Sequence, residues 1–329
     1  MTMRIAIAGG GGFAHILARE IAQNANAVIV LSTRHHYEFE ELGVQVAVVD
    51  YTNPQELRYI LKGVDLLIST IREETTQLNL INAARHARVH TFVPAEFEGA
   101  VAQRPTSNDP FDHGSGRIRQ YLNNSSSSSS SPASNSQHTL RYTVFSCGVL
   151  YERFAPGGLG RFNMGRSANV WRPGDYLLNI ETAQADIVLR NAQGRPVTVS
   201  MTSVCDVARF VAAAVDIGLE RWPREFRMRG DQMSLEEIVH DCSMARRVPF
   251  SQNEYEYAGI QAMLDFALQE SDVAKYFCFQ QLRVSVEGRY DFTRANLNET
   301  INQTAGLEVR PVRFRDWIWR ACEEAQMQS

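Results

Sequence analysis

A chain of 329 residues is too long for one minimal domain, and its 44% apolar composition is that of a chain able to bury a full core. A net charge of -4 excludes a basic nucleic-acid footprint, and charges or glycines interrupt every apolar run well short of a membrane span. The five cysteines (Cys147, Cys205, Cys242, Cys278, Cys322) are odd in number, widely spaced and never paired as Cys-x-x-Cys, which argues against a disulfide framework or a metal site and for a reduced, cytoplasmic setting.

Met-Thr-Met-Arg leads straight into the apolar run Arg4-Ile5-Ala6-Ile7-Ala8, so no signal peptide is expected, and the run reads as a buried parallel strand ending at glycines. Ile16, Leu17 and Ile21 recur at helical spacing within 13–25. Ala27–Leu31 and Val44–Val49 are the next two strands, and Pro54 opens a helix through Leu57, Ile60 and Leu61. A fourth strand follows over Asp65–Ser69, a helix marked by Leu78, Ile81 and Ala84, and a fifth strand over Thr91–Pro94. The segment 99–113 is turn-rich, and a helix is expected from about Gly116. The serine run Ser125–Ser131 and its polar extension cannot bury apolar area, so 123–138 is expected to be a flexible, functionless surface loop. A strand resumes at Tyr142–Cys147; later come short strands at Val197–Met201 and Phe226–Met228 and helices at Asp206–Val215, after Ser234 and near Trp317.

This βα alternation predicts an α/β fold: a Rossmann doubly wound parallel sheet over 1–150, with a smaller α+β C-terminal substrate region over 151–329. Part of that region, about 197–217, is expected to return to the first domain. Between the first strand and helix, Gly9-Gly10-Gly11-Gly12-Phe13-Ala14 contains Gly-x-Gly-x-x-Ala. Its first glycine permits a tight turn, its second lets the backbone approach a pyrophosphate, and Ala14 lets the helix pack closely. The helix N-terminus offers free N–H donors to phosphate. After the second strand stand Ser32-Thr33-Arg34-His35-His36, with no carboxylate before Glu38. An arginine there suits the 2′-phosphate of NADP(H), with His35 or Ser32 assisting. Catalytic signatures are missing: no Tyr-x-x-x-Lys, nucleophile elbow, zinc helix or P-loop is present, and all basic residues but Lys62 and Lys275 are arginine, which cannot act as a base.

With these features the chain resembles the NmrA-like and isoflavone-reductase-like branch of atypical short-chain dehydrogenases. The likeness is carried by the glycine turn, Arg34, Val48-Val49-Asp50-Tyr51, Asp65-Leu66-Leu67-Ile68-Ser69-Thr70, Phe92-Val93-Pro94-Ala95-Glu96-Phe97, Leu140–Phe145 and Ser203–Phe210. It covers nearly the whole chain and looks like that of a filamentous-fungal member from secondary metabolism. The resemblance implies NADP(H) as cofactor, held by Gly9, Gly11, Gly12, Phe13, Ala14, Arg34, His35, Asp50, Ser69, Thr70, Ile71, Pro94, Ala95 and Cys147. It implies a small apolar substrate held by Phe97, Tyr151, Phe154 and Phe162, of which the last three could equally be core. Two departures stand out. Ala14 or His15 replaces the third glycine, and Ser115 replaces the reductases' catalytic lysine, leaving His113, Ser115 and Glu96 as replacements nearby. Glu96 could instead be a structural anchor.

Three readings follow: an NADP(H)-dependent oxidoreductase on an apolar heterocyclic metabolite, a cyclase using the cofactor as a hydride relay (the redox-mediated Diels–Alder type of alkaloid pathways), or a non-enzymatic NADP(H) sensor. No nucleic-acid or membrane partner is expected, and the oligomeric state is not readable.

Overall fold

The computed structural model describes residues 2–105, 109–127, 139–166, 170, 172–174 and 176–328. The first half builds six strands: β1 (Arg4–Ala8), β2 (Ala27–Ser32), β3 (Gln45–Val48), β4 (Leu66–Ser69), β5 (Thr91–Val93) and β6 (Arg141–Tyr142). They pair in parallel in the order β3-β2-β1-β4-β5-β6, so the chain switches direction beside β1. Register sets Ala8 level with both Leu31 and Ser69, so the chain leaves the sheet beside Ser32 and Thr70. β1 reads as a continuous apolar run because both its faces are covered: Ile5 and Ile7 join one core, Ala6 and Ala8 the other.

Four helices cover these faces: α1 (Gly12–Ala22), α2 (Pro54–Ile60), α3 (Glu74–Ala87) and α4 (Ser115–Ser127). On α1 the buried residues are Ala14, Leu17, Ala18 and Ile21, one stripe at helical spacing. Asn53 caps α2 by accepting from the Gln55 and Glu56 amides, ahead of Pro54. α4 is anchored by buried Ile118 and Leu122 and propagates through Ser127, so the first part of the expected loop is helical. Residues 128–138 lie outside the described residues.

The rest of the chain adds β7 (Val144–Ser146), β8 (Val149–Leu150), β9 (Leu178–Asn179), β10 (Gln184–Ile187) and β11 (Thr198–Thr202), then α5 (Val204–Ile217). There follow β12 (Glu225–Arg227), β13 (Asp231–Ser234), α6 (Leu235–Arg246), β14 (Ser251–Glu254), α7 (Ile260–Gln269), α8 (Val273–Val286), α9 (Asn296–Gln303) and α10 (Phe314–Gln328). Two small sheets, β8-β11-β13 and β9-β10-β14, enclose a separate apolar core that includes Tyr151, Phe154, Met201, Leu282 and Phe314. α5 packs on α1, β12 pairs with β7, and α9 lies against α5, so several C-terminal pieces complete the first core. β11 itself belongs with β8 and β13.

Glu152, in the short turn after β8, is 1% exposed, and its Oε1 accepts from the Val204 amide at 2.9 Å, where α5 begins. Its Oε2 meets no partner among the described residues. Burial, partly offset by the Val204 hydrogen bond, pushes its pKa up from 4.5 to about 8. The folded chain therefore keeps a proton that the unfolded chain releases above about pH 4.5, and the stability tied to the neutral carboxyl is lost as pH rises towards 8. Melting temperatures between pH 5 and 8 should fall more for wild type than for Glu152→Gln; parallel curves would show that Glu152 does not titrate in that window.

Candidate functional site

The glycine turn starts at Gly9, whose amide bonds the Leu31 carbonyl at 2.8 Å and whose φ of +114° suits glycine alone. A Cβ there would also meet Thr70 Oγ1 at 2.2 Å. Gly11 precedes α1 with no side-chain cap, and the helix's first turn contributes no carboxylate against a phosphate. Phe13 rests edge-on against Phe97 at 4.7 Å. Ala14 is fully buried, whereas the His15 ring points to the Glu38 carbonyl at 3.2 Å. The close-packing position is therefore Ala14, and His15 does not obstruct it. In one respect the turn does not fit a free pyrophosphate site: the Gly12 amide already bonds the Asn163 carbonyl at 3.2 Å.

Beyond β2, the Arg34 side chain is exposed and makes no ion pair among the described residues; its amide bonds Ser32 Oγ at 3.4 Å. His35 points outward and stacks over Tyr37. His36 is the histidine beside the turn: it is buried, its Nδ1 lies 3.0 Å from Glu38 Oε1, and its Nε2 would be 2.3 Å from a Cβ on Gly10. His35 and His36 therefore face opposite ways, His35 outward beside Arg34 and His36 toward the glycine turn. The Asp50 carboxylate accepts from the Thr52 amide at 2.8 Å and hydroxyl at 2.7 Å, which lowers its pKa and occupies it locally.

At the ends of β4 and β5, Thr70 Oγ1 donates to the Ala8 carbonyl at 2.9 Å, and the Ile71 amide bonds Ser69 Oγ at 3.3 Å. Pro94 and Ala95 are buried, the Ala95 amide held by buried Gln77 at 2.9 Å. Arg72, which the sequence reading missed, follows directly; it is half-buried and has no ion-pair partner among the described residues. Its charge reaches both Glu98 and His113. The signal available in sequence was a cation just past the Ser69-Thr70 strand end.

Glu96 is buried and ion-paired through one oxygen with both Arg104 and Arg119, while Oε2 meets no partner among the described residues. It is anchored by arginines rather than by backbone, and no proton source is in contact with it. Next to it Arg289 pairs with Glu98 at 2.9 Å and Asp109 at 2.8 Å, and Arg104 reaches Glu98 at 3.1 Å. His113 (φ +45°) is exposed at the rim, yet desolvation by the surrounding loop, and then Arg72, push its pKa below the usual imidazole value. Ser115 is buried at the first position of α4, its amide on the Asp112 carbonyl at 2.9 Å.

The remaining expected residues separate. Cys147 is fully buried in the sheet core, its thiol pKa raised by burial, so it offers no side chain to a cofactor. Phe97 lies between Phe13 and Phe145. Tyr151 and Phe154 are C-terminal core: Tyr151 OH donates to the Val312 carbonyl at 3.1 Å, and Phe314 packs edge-on against both rings. A small apolar cavity between Phe154, Tyr176, Leu235 and Val239 lies inside that core. Phe162 packs on Trp317 and sets its carbonyl over Gly12. Among the described residues no cluster suits a metal ion, and no helix is long and apolar enough to cross a membrane.

A model of the NmrA-like family matches residues 1–263. The chain is 25% identical over 236 residues to the oxidoreductase swnR of Metarhizium robertsii, covering 70% of each chain. It is similar to a solved structure of AtPrR2 with NADP+ and (+)pinoresinol, with a TM-score of 0.70, 14% identity, and 98% of this chain and 99% of that one covered. An isoflavone reductase structure matches with a TM-score of 0.68, 15% identity, and 97% and 99% covered. At such identities these two likenesses are of fold.

The Arg289 side chain is 1% exposed between two carboxylates, whereas Arg313, paired with Asp231 at 2.9 Å, is 71% exposed. Arg289→Met should lower unfolding free energy by about 3–5 kcal/mol, because it leaves the buried Asp109 carboxylate without its ion pair and Glu98 with Arg104 alone. Arg313→Met should cost at most about 1 kcal/mol. Urea denaturation of both variants checks the contrast, and similar losses would refute it.

Proposed function

The chain belongs to the NmrA-like family, and from that premise we propose that it is an NADP(H)-dependent oxidoreductase acting on an apolar heterocyclic small molecule. The observation that carries this reading is the uncapped glycine N-terminus of α1 at the sheet's switch point, with an arginine that has no ion pair among the described residues beyond the neighbouring strand. It is supported by the oxidoreductase among the relatives and by the NADP+ that AtPrR2 holds.

In this reading the amides of Gly11, Gly12 and Phe13 receive the pyrophosphate, and Arg34 grips the 2′-phosphate, with Ser32 and His36 shaping the turn between them. Ser69, Thr70, Ile71, Pro94 and Ala95 wall the nicotinamide end. When bound, the cofactor supplies or accepts a hydride there. The chain itself has to stabilise charge on the substrate and to exclude water. Arg72 is a fixed cation for an oxygen that becomes negative as a carbonyl or enone accepts hydride. His113, kept neutral by its lowered pKa, donates one N–H; Ser115 adds a hydroxyl. Phe111 lies two residues from His113 and against Phe277, 6.2 Å between ring centres, and this pair supplies apolar surface for the substrate.

The serine at position 115 favours a second reading on the same site. A hydride relay, in which the substrate is oxidised, cyclises and is reduced again, needs no net proton delivery and so dispenses with a lysine. The two readings differ in stoichiometry: reduction consumes one NADPH per product, whereas the relay leaves NADPH absorbance unchanged while a cyclised isomer accumulates.

Fluorescence titration tests the cofactor assignment. Wild type should bind NADPH more tightly than NADH, and Arg34→Ala should weaken NADPH by about 10- to 100-fold, as loss of a charge-assisted contact does, with NADH unchanged. Equal affinities in wild type, or binding of neither, would refute it.

A further inference from the structure

The segment after β8 does something at the glycine turn that neither a substrate wall nor a core element requires. Gly158–Phe162 forms a short helical turn that ends at Asn163 in the left-handed region (φ +52°). This places the Phe162 carbonyl oxygen 1.9 Å from where a Gly12 Cβ would stand, and the Asn163 carbonyl on the Gly12 amide at 3.2 Å. A backbone carbonyl presents to a helix N-terminus the same acceptor as a phosphate oxygen. The turn therefore uses a donor that a pyrophosphate would use, and fills the space beside it.

The turn is built to stay and to move. It is closed on itself by the Asn163 amide on the Gly160 carbonyl (3.0 Å) and the Met164 amide on Leu159 (3.1 Å). It is bounded by Gly157 (φ +82°) and Gly165 (φ +79°), which can absorb large backbone changes. Its side chains fasten it to α10: Arg161 donates to the Ala321 carbonyl at 3.2 Å and pairs with Glu324 at 3.2 Å, and Phe162 lies against Trp317. These tethers do not touch the glycine turn.

We propose that residues 158–163 form an autoinhibitory strap that competes with the dinucleotide for the Gly12 amide, with α10, through Arg161, setting how readily it opens. The proposal rests on the dinucleotide reading above and adds its regulation. Opening precedes binding, so the apparent dissociation constant equals the intrinsic one divided by the open fraction. A change at α10 is then felt at the phosphate site without altering any group that touches the cofactor.

The test uses the full chain, NADPH as probe, hydrogen exchange of 155–166, and stopped-flow binding to wild type, Arg161→Ala and Glu324→Gln. Glu324 is 59% exposed, so its variant serves if Arg161→Ala does not fold. With NADPH, the Asn163 and Met164 amides should exchange faster while those of α1's first turn slow. The wild-type binding rate should level off with rising NADPH, and loosening the tether should tighten apparent binding by up to about tenfold, the gain when a strap closed in nine molecules of ten is released. If NADPH binds while 158–166 exchanges unchanged and both variants bind as wild type does, the strap is refuted and the cofactor reading stands. If none of the three proteins binds NADPH, both are refuted.

Discussion

A buried guanidinium is the constraint around which this molecule is arranged. Arg289 is 1% exposed, and such a charge is tolerable only if carboxylates and carbonyls surround it. Glu98 and Asp109 meet it, and the described residues 98–105, which hold little regular structure, must still satisfy their own polar backbone. That segment does so through distant partners: the Ala100 amide bonds the Arg289 carbonyl at 3.0 Å, the Glu98 carbonyl receives the Cys147 and Gly148 amides at 2.9 and 3.1 Å, and the Val101 amide reaches Glu225 at 2.8 Å. Gly99 lies so close to Arg289 that a Cβ would meet its carbonyl at 2.4 Å. Four parts of the chain (the exit of β5, the exit of β7, β12 and the segment after α8) are thereby fixed to one another. Apolar packing could supply comparable stability; what the ions add is position, and Glu96, held by Arg104 and Arg119, sits beside them.

The chemistry open to the site follows from the same choice of residue. Arginine keeps its proton under ordinary conditions, so a network of Arg104, Arg119 and Arg289 holds charge without supplying or taking protons. Glu96 sits between two of these cations and is anchored there. Its position in the motif suggests reactivity, yet its surroundings make it structural. Among the described residues, the groups we propose for the site are a histidine whose pKa is lowered and a helix-start serine, beside Arg72, which has no ion-pair partner there. Such a set stabilises developing negative charge better than it delivers protons, which is why the proposed substrates are ones that need polarisation more than acid catalysis.

What the sequence revealed, and what it hid, divides by the range of the interactions. β1 to β5 and the stripe on α1 were legible because a strand covered on both faces is a short apolar run, and a helix packed on a sheet repeats at 3.6. α8 was not legible because its buried side includes Gln280, Gln281 and Ser285, which blur the apolar period. Serine propensity alone ends α4 before the serine run, whereas two buried anchors upstream, Ile118 and Leu122, carry the helix into it. That His36 rather than His35 lies against Gly10 depends on a one-residue choice of face that the sequence does not show. The Arg289 network joins residues 180 and 191 positions apart, so no local pattern announces it. For Tyr151 and Phe154 the sequence leaves substrate wall and core equally open, because type alone does not say whether a ligand or another helix fills the space beside them.

The glycine turn carries this last ambiguity furthest. A glycine signature records that something must come close to the backbone, not what comes. At Gly9 the close neighbours are Thr70 and Ile71, at Gly10 they are His36 and Ser32, and at Gly12 it is the Phe162 carbonyl. Every glycine except Gly11, whose nearest neighbour is 3.9 Å away, is thus demanded by this chain's own atoms before any cofactor is considered. The motif would be required in a protein whose turn is permanently closed as much as in one that binds a dinucleotide. What tells the two apart is how firmly the competing carbonyl is held. Asn163 bonds the Gly12 amide at 3.2 Å, and the turn's tethers to α10 are the Phe162–Trp317 contact and Arg161, which bonds the Ala321 carbonyl and pairs with Glu324, 59% exposed. A contact of that strength is one that a charged phosphate, with several donors aligned at a helix N-terminus, can replace.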